Sequence, residues 1–113
     1  MAVTSVVVRF DAVRTMNWAV ITNAYQALGA VCSHPMRLIK FINNTDGDMY
    51  FSFDGTTNND FVPAGGFAVY DLMTNALGAS PYTLENLTQF YVKFAVAPSL
   101  GDVYVVAVYG KGD

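Results

Sequence analysis

Residues 37–71 read RLIKFINNTDGDMYFSFDGTTNNDFVPAGGFAVYD, and this stretch carries the clearest structural signal in the chain. Its apolar segments are short and rich in aromatic and β-branched residues, which fit a pleated, half-buried surface. The residues between them are mostly Asp, Asn, Gly and Thr, which favour tight turns because they tolerate left-handed backbone or cap their own turns. The stretch therefore predicts three β-strands joined by turns, at residues 37–43, 49–53 and 67–72.

The first two of these strands are separated by a short turn, so we expect them to pair as an antiparallel hairpin. In the first strand, alternation places Ile39 and Phe41 on one face and the other apolar residues, with Lys40, on the opposite face. Alternation in the second strand also assigns two faces: Met49, Phe51 and Phe53 toward the core, and Tyr50, Ser52 and Asp54 toward solvent.

Outside this stretch, alternating patterns predict further strands at residues 2–10, 18–25, 90–96 and 103–109. A helix over residues 18–28, capped by Gly29, competes with the second of these because good helix formers are frequent there. Residues 11–17, 30–35, 55–66 and 73–88 are predicted to be connections. About 7–8 strands separated by turn signals predict an all-β fold, a single antiparallel β-sandwich or jelly-roll-like domain spanning residues 1–113.

The segment VYVVAVY at residues 103–109 is apolar on both faces. An antiparallel strand with one wet face alternates apolar and polar residues, whereas a strand covered on both sides need not. We therefore expect this strand to lie centrally in the sandwich or to be covered by a neighbouring subunit.

The composition also favours a protein that assembles. Apolar residues make up 53% of the chain and charged residues 13%, against about 45–50% and about 25% in an average soluble domain. A small domain with so few charges exposes much apolar surface, and large exposed apolar patches usually mark interfaces. We expect the chain to bury further area against copies of itself or another protein.

Several classes of function are disfavoured by charge and patterning. The net charge is −3 and the six basic residues are scattered, so we expect no nucleic-acid partner and no polybasic contact with a membrane. The longest apolar runs fall short of the ~20 residues needed to cross a bilayer. Residues 1–11 lack a basic start and are interrupted by Arg9, so no signal peptide is predicted. The lone Cys32 rules out an intrachain disulfide.

We find no convincing catalytic or metal-binding constellation in the sequence. Asp46, Asp48 and Asp54 offer oxygen ligands to Ca²⁺, but the same residues suit tight turns, and turns are the favoured interpretation. Ser52 lacks a nearby histidine base, and Cys32 with His34 supplies too few ligands for zinc and no third group for nucleophilic catalysis. We predict no enzymatic activity, no metal and no cofactor.

Outward-facing tyrosines are the candidate contact residues. Tyrosine is enriched both in protein interfaces and in aromatic platforms that stack on sugars. Because the chain carries so little charge, the subunit interface is favoured over a carbohydrate-binding module. The candidate interface residues are Tyr50, Tyr70, Tyr82, Tyr91 and Tyr104.

The central stretch also carries a family signature. Its motifs are Asn44-Thr45-Asp46, Ser52-Phe53-Asp54-Gly55, Pro63-Ala64-Gly65 and Asp71-Leu72, followed later by Tyr91-Val92-Lys93 and Gly101-Asp102-Val103-Tyr104. With these motifs, the chain from Tyr25 onward resembles small virion structural proteins of tailed bacteriophages.

The resemblance implies a location in the virion and a role without enzymatic activity. It implies an accessory or connecting subunit on the capsid, neck or tail, present in multiple copies. The implied partners are copies of this chain and other virion proteins. A carbohydrate- or receptor-binding module on the virion surface is the alternative.

Overall fold

The computed structural model describes residues 7–72 and 84–110, which form two antiparallel β-sheets packed face to face. The larger sheet has the order β1-β9-β4-β7, with β2 also paired with β9, and the smaller sheet has the order β3-β8-β5-β6. The strands are β1 (Val8–Phe10), β2 (Arg14–Asn17), β3 (Gln26–Ala27), β4 (Met36–Thr45), β5 (Met49–Ser52), β6 (Asp60–Val62), β7 (Phe67–Asp71), β8 (Tyr91–Phe94) and β9 (Gly101–Gly110). The predicted all-β sandwich is confirmed, with nine described strands where about 7–8 were expected.

Strands β1 and β2 lie along the same side of β9. Strand β1 pairs with the C-terminal part of β9, and β2 pairs with its N-terminal part. Counted as one interrupted edge strand, they leave eight strands whose sheet order is that of a jelly roll, a double sheet built from two Greek keys.

An aromatic cluster joins the two sheets in the core. Phe41 of β4 stacks on Phe51 of β5 with 4.5 Å between ring centroids, and the edge of Phe90 meets it at 5.9 Å. All three side chains are fully buried. Strand β9 lies between β4 and the β1–β2 edge. Of the two expectations for residues 103–109, the central position is confirmed, and cover by a neighbouring subunit stays a prediction.

A buried polar group holds the end of β4. The side-chain amide of Asn43 donates hydrogen bonds to Gly47 O (2.8 Å) and Val62 O (3.0 Å), while its Oδ1 accepts from Thr45 Oγ1 (2.6 Å). These bonds satisfy a side chain that would be costly to bury without partners. They also fix the point where the chain leaves the larger sheet for the smaller one.

The predicted hairpin between residues 37–43 and 49–53 is wrong. Strand β4 pairs with β7 and β9 in the larger sheet, while β5 pairs with β6 and β8 in the smaller sheet. Because β7 and β9 use both hydrogen-bonding edges of β4, no edge is left for β5, and the intervening turn crosses the sandwich.

Two predictions in the N-terminal third are also wrong. Residues 18–25 form neither a strand nor a helix but successive turns, with Val20 N–H donating to Asn17 O (3.0 Å) and Ala24 N–H donating to Thr22 Oγ1 (3.2 Å). Such local bonds to polar side chains and turns compete with regular structure. Residues 11–17 were expected to be a connection but contain β2, whose Arg14 side chain is buried.

Smaller corrections concern boundaries and faces. Strand β6 lies inside the predicted loop at residues 55–66, and the strand predicted at 90–96 ends at Phe94, leaving Val96 54% exposed. Met49 and Phe51 are buried as predicted, and Phe53 is partly buried against the core. Of the strand predicted at residues 2–10, only β1 is described, and residues 73–83 of the predicted loop at 73–88 lie outside the described residues.

Candidate functional site: the outer face of the larger sheet

The outer face of the larger sheet is built from cross-strand rows of apolar residues. One row joins Phe10, Val108 and Leu38, and another joins Tyr104, Ile42 and Phe67. Between them lies a row of Val106, Lys40 and Val69. We call this surface the apolar outer face; it consists of Val8, Phe10, Leu38, Lys40, Ile42, Phe67, Val69, Tyr104, Val106 and Val108.

Four of the ten side chains of the apolar outer face are exposed, five are half-buried, and Val108 is buried. Phe10 is 73% exposed, Phe67 67%, Val8 56% and Val69 48%. These values are high for large apolar side chains, most of which are buried in folded proteins. The strands themselves explain the exposure, since β4 and β9 carry apolar residues on both faces and the smaller sheet covers one face only.

Polar residues border the apolar outer face at one end. The next row beyond Tyr104 joins Asn17, Asp102 and Asn44. Asn17 Nδ2 donates to Asp102 Oδ1 at 3.1 Å, and the Tyr104 hydroxyl lies 3.4 Å from Asp102 Oδ2. An apolar centre with a polar border is the usual anatomy of a protein–protein interface.

Two charged residues lie on these rows: Asp71, at the β7 end of the first row, and Lys40, at the centre. Lys40 Nζ lies 5.4 Å from the centroid of the Phe67 ring, within the range of a cation–π interaction. The remaining side chains of the rows are apolar apart from the Tyr104 hydroxyl and Thr15, which lies opposite Tyr104 in β2, so the surface is mostly apolar.

The outer face of the smaller sheet is different, because its aromatic side chains pack against one another and against a lysine. Lys93 Nζ lies 4.7 Å from the Tyr25 ring centroid and 5.6 Å from that of Tyr50. Phe61 meets Tyr50 edge-on at 5.4 Å, and the Tyr25 hydroxyl donates to Asn58 Oδ1 at 2.6 Å. We call this surface the covered outer face; it consists of Tyr25, Tyr50, Phe61, Tyr91 and Lys93.

The polar loop that follows β5 also covers part of the smaller sheet, next to Tyr91. The Tyr91 ring lies against Gly55, where an added Cβ would be 3.3 Å from the ring. Ser52 lies opposite Tyr91 in the pairing of β5 with β8. It was expected to face solvent, but it is buried because the following loop folds over it.

The five candidate tyrosines do not form one surface. Tyr50 and Tyr91 belong to the covered outer face and Tyr104 to the apolar outer face. Tyr70 lies at the edge of the sandwich, where its ring meets Phe41 at 6.0 Å and its hydroxyl donates to Asp60 Oδ2 at 2.7 Å. Burial, with this hydrogen bond, raises the pKa of Tyr70 to about 12. Tyr82 lies outside the described residues.

Of the three carboxylates considered as calcium ligands, Asp46 and Asp48 lie in the turn between β4 and β5, and Asp54 lies in the loop after β5. Asp46 accepts hydrogen bonds from the Ser99 backbone N–H and hydroxyl, and these bonds lower the pKa of Asp46. Asp48 Oδ1 accepts from the Ala64 N–H at 3.0 Å. The two carboxylates therefore tie the β4–β5 turn to the loops at residues 95–100 and 63–66. No group of three potential metal ligands occurs among the described residues.

Asp54 is the most heavily bonded of the three. It accepts from the Thr57 hydroxyl (2.7 Å), the Thr57 and Thr56 N–H groups (2.7 and 2.9 Å) and the Ser52 hydroxyl (2.8 Å). These hydrogen bonds, with that from the Thr57 hydroxyl the largest effect, lower the pKa of Asp54 well below its usual range. The carboxylate holds together the loop that covers Ser52.

Ser52, Cys32 and His34, the candidate nucleophiles and base, have structural contacts instead. Ser52 Oγ bonds to Asp54, and the His34 ring stacks on Tyr109 with 3.9 Å between centroids. Cys32 is fully buried, and burial raises the pKa of its thiol, which disfavours the reactive thiolate.

Comparison with protein-family models, with curated proteins and with solved structures found no match to this chain. Among the described residues, no helix is long and apolar enough to span a bilayer.

Apart from Tyr104, sequence reasoning did not single out the residues of the apolar outer face. It selected tyrosines by residue type, whereas the most exposed apolar residues of this face are phenylalanines and valines, with Phe10 and Phe67 first among them. The signal that identifies this face is the pair of strands that are apolar on both sides, at residues 38–42 and 103–109. It was recognised for the second strand alone.

Proposed function

We propose that the chain is a non-enzymatic structural subunit of a tailed-bacteriophage virion, assembled in multiple copies on the capsid, neck or tail. In this proposal the apolar outer face binds the neighbouring virion proteins. That face is the observation that carries the proposal, because it is the most extensive apolar surface among the described strands.

The size of the face suits an interface. The exposed fractions of Phe10, Phe67, Val8 and Val69, together with the smaller exposures of the other rows, amount to roughly 600 Å². A standard interface buries about 800 Å² per partner, including its polar border. Burying the apolar part would release on the order of 15 kcal/mol before the costs of association are subtracted.

Two further points support a virion location. The sequence motifs of residues 41–75 resemble those of tailed-bacteriophage structural proteins. The jelly-roll strand order is also frequent in viral capsid domains, although lectins share it and a fold alone does not assign a function.

A carbohydrate-binding role has less support from the geometry. Stacking on a sugar needs an open aromatic face, and Lys93 lies over the rings of both Tyr25 and Tyr50. Phe61, which is 47% exposed, is the ring of this cluster that is most open to a ligand.

The proposal is tested by analysing particles purified from a host in which the gene is expressed with its neighbours. We expect quantitative mass spectrometry to find the chain in many copies per particle. A chain present in the lysate but absent from purified particles would contradict the proposal.

A matched pair of variants tests the surface. Phe10→Asp places a charge on the apolar outer face, and Phe61→Asp places the same charge on the covered outer face. We expect the first variant to be lost from particles and the second to be retained. Equal retention of both would remove the apolar outer face from the proposal.

A further inference from the structure

Strand β7 is the least protected of the sheet edges that the described residues form. Edge strands are usually kept short, interrupted, or guarded by proline or charge, because an open edge can pair with another chain. Strands β3 and β6 have two and three residues, and Pro63 follows β6. The β1–β2 edge is interrupted at residues 11–13. Strand β7 has five residues, and its pairs with β4 run without irregularity.

The hydrogen bonds at both ends of β7 show which backbone groups point toward β4. Asn43 N–H donates to Gly66 O at 2.9 Å, and Leu72 N–H donates to Arg37 O at 2.9 Å. In an antiparallel pair, successive residues alternate between bonding to the partner and pointing away from it. Within β7, Ala68 and Tyr70 are therefore the residues whose backbone groups face β4.

The alternate residues Phe67, Val69 and Asp71 direct their backbone groups to the other side. No described strand pairs with β7 on that side. Phe67 and Val69 are also exposed by 67% and 48%. The edge therefore presents both backbone groups and apolar side chains.

We propose that β7 pairs with β7 of a second copy of this chain, antiparallel and about a two-fold axis at Val69. In this register Val69 faces Val69 of the second copy, and Phe67 faces Asp71 of the second copy. Each of these facing pairs exchanges two backbone hydrogen bonds, because the groups that point away from β4 are those that meet. A two-fold contact of this kind uses the same surface on both copies.

Charge complementarity favours a second copy as the occupant. Lys40 Nζ lies over the Phe67 ring, and the register brings Asp71 of the second copy next to that ring on the same face. Symmetry repeats the pair, so each copy supplies one lysine and one carboxylate to the contact. The pairing also joins the two apolar outer faces into one surface, and it does not depend on a virion location.

The first test uses the full chain and a matched pair of variants at Val69. Val69→Pro removes the N–H that points away from β4 while leaving the hydrogen bonds to β4 in place, and edge strands tolerate proline at such positions. Val69→Thr keeps both the N–H and the β-branched shape. Sedimentation equilibrium should show a wild-type dimer, a similar Val69→Thr dimer, and dimerisation weakened by about 100-fold for Val69→Pro.

The second test reverses the charges and is independent of proline. Lys40→Glu alone should weaken the dimer by about 10-fold, and Lys40→Glu combined with Asp71→Lys should restore it to within about 3-fold of wild type. Circular dichroism checks that every variant retains the β-sheet fold. Concentration-dependent protection of the Phe67 and Val69 amides from hydrogen exchange would locate the contact at β7.

Three results would overturn the proposal. One is a wild-type chain that stays monomeric at about 0.5 mM, where a specific dimer is expected to form. Another is a folded Val69→Pro variant that dimerises as tightly as wild type. The third is a dimer lost with Val106→Lys and kept with Val69→Pro, because it would show face-to-face packing in place of edge pairing.

Discussion

The two sheets of this sandwich both carry large apolar or aromatic side chains on their outer faces, but these side chains lie in opposite environments. On the smaller sheet, Lys93 lies between Tyr25 and Tyr50, and a loop closes over Ser52. On the larger sheet, Lys40 contacts the single ring of Phe67, and the surrounding side chains face outward without a covering loop among the described residues.

The difference shows that aromatic content alone does not identify an interface. The tyrosines of the smaller sheet make their ring contacts with Phe61 and with Lys93 inside the chain, so they stabilise the fold. The exposed phenylalanines and valines on the outer face of the larger sheet bury little of their area within the chain, so that area is available for association.

The largest effect is expected from a charge at the centre of the apolar outer face. Val106→Lys on β9 places a second lysine directly opposite Lys40 of β4. Burying an unpaired charge costs several kcal/mol. We expect the binding of purified chain to particles that lack it to weaken by at least about 100-fold. Ala27→Lys, on the outer side of the smaller sheet, should bind as wild type does. If both variants lost the same binding affinity for particles, the apolar outer face would not differ from the covered outer face in its role.

A smaller effect is expected where the loop covers the smaller sheet. Gly55 has φ +81° and lies against the Tyr91 ring, whereas Gly65 has φ +74° and open space around it. We expect Gly65→Ala to lower the free energy of unfolding by about 1 kcal/mol and Gly55→Ala by about 2 kcal/mol, because only the second adds a ring contact to the backbone strain. Urea denaturation measures the free energy of unfolding of both variants. Identical losses would show that the contact between the Tyr91 ring and Gly55 adds nothing to the cost of the substitution.

The two lysines should differ in what they stabilise. Lys93→Met removes contacts with two rings and should lower the free energy of unfolding by about 1 kcal/mol. Lys40→Met should change it by less than about 0.5 kcal/mol, because it removes one exposed contact and adds apolar surface. Thermal and urea unfolding of the two variants provide the comparison. A greater loss for Lys40→Met would reverse the assignment of the two faces.

The smallest effect is a pH dependence in the covering loop. The pKa of Asp54 is lower in the folded chain than in the unfolded chain, so its stabilising effect is complete above the usual carboxyl range and declines as pH falls below about 4. Asp54→Asn should therefore be less stable than wild type at neutral pH, with a difference that narrows as the solution is acidified. A difference that is the same at pH about 7 and about 3 would mean that ionisation of Asp54 does not hold the loop.

The sequence predicted the strands better than their partners. Residues 38–42, 49–53 and 103–109 are short, apolar and bounded by turn residues, so their extended conformation followed from local chemistry. Which sheet each strand joins depends on long-range pairing, and the turn after Thr45 does not distinguish a hairpin from a crossing between sheets. The strand prediction for residues 18–25 is wrong for another reason: backbone N–H groups in this segment donate turn hydrogen bonds to the side-chain oxygens of Asn17 and Thr22, and these bonds override the alternation.

The sequence predicted that an apolar contact surface exists, but it did not predict where on the fold that surface lies. Low charge indicated that the chain has an apolar surface to cover, and this surface exists. Its location could not be read from strand β4, because Ile39 and Phe41 on one side and Leu38 and Ile42 on the other are equally apolar. The core-facing side is decided by Phe51 and Phe90, which come from the other sheet.

The position of β9 along the chain has a consequence for how the protein is made. Strand β9 pairs with β1, β2 and β4, yet it is the last of the described strands to leave the ribosome. Until Gly101 to Gly110 emerges, the N-terminal strands have no partner in their sheet and β4 is paired on one side at most. Formation of the larger sheet must therefore follow synthesis of β9, and a nascent chain interrupted before it would expose β4 to aggregation.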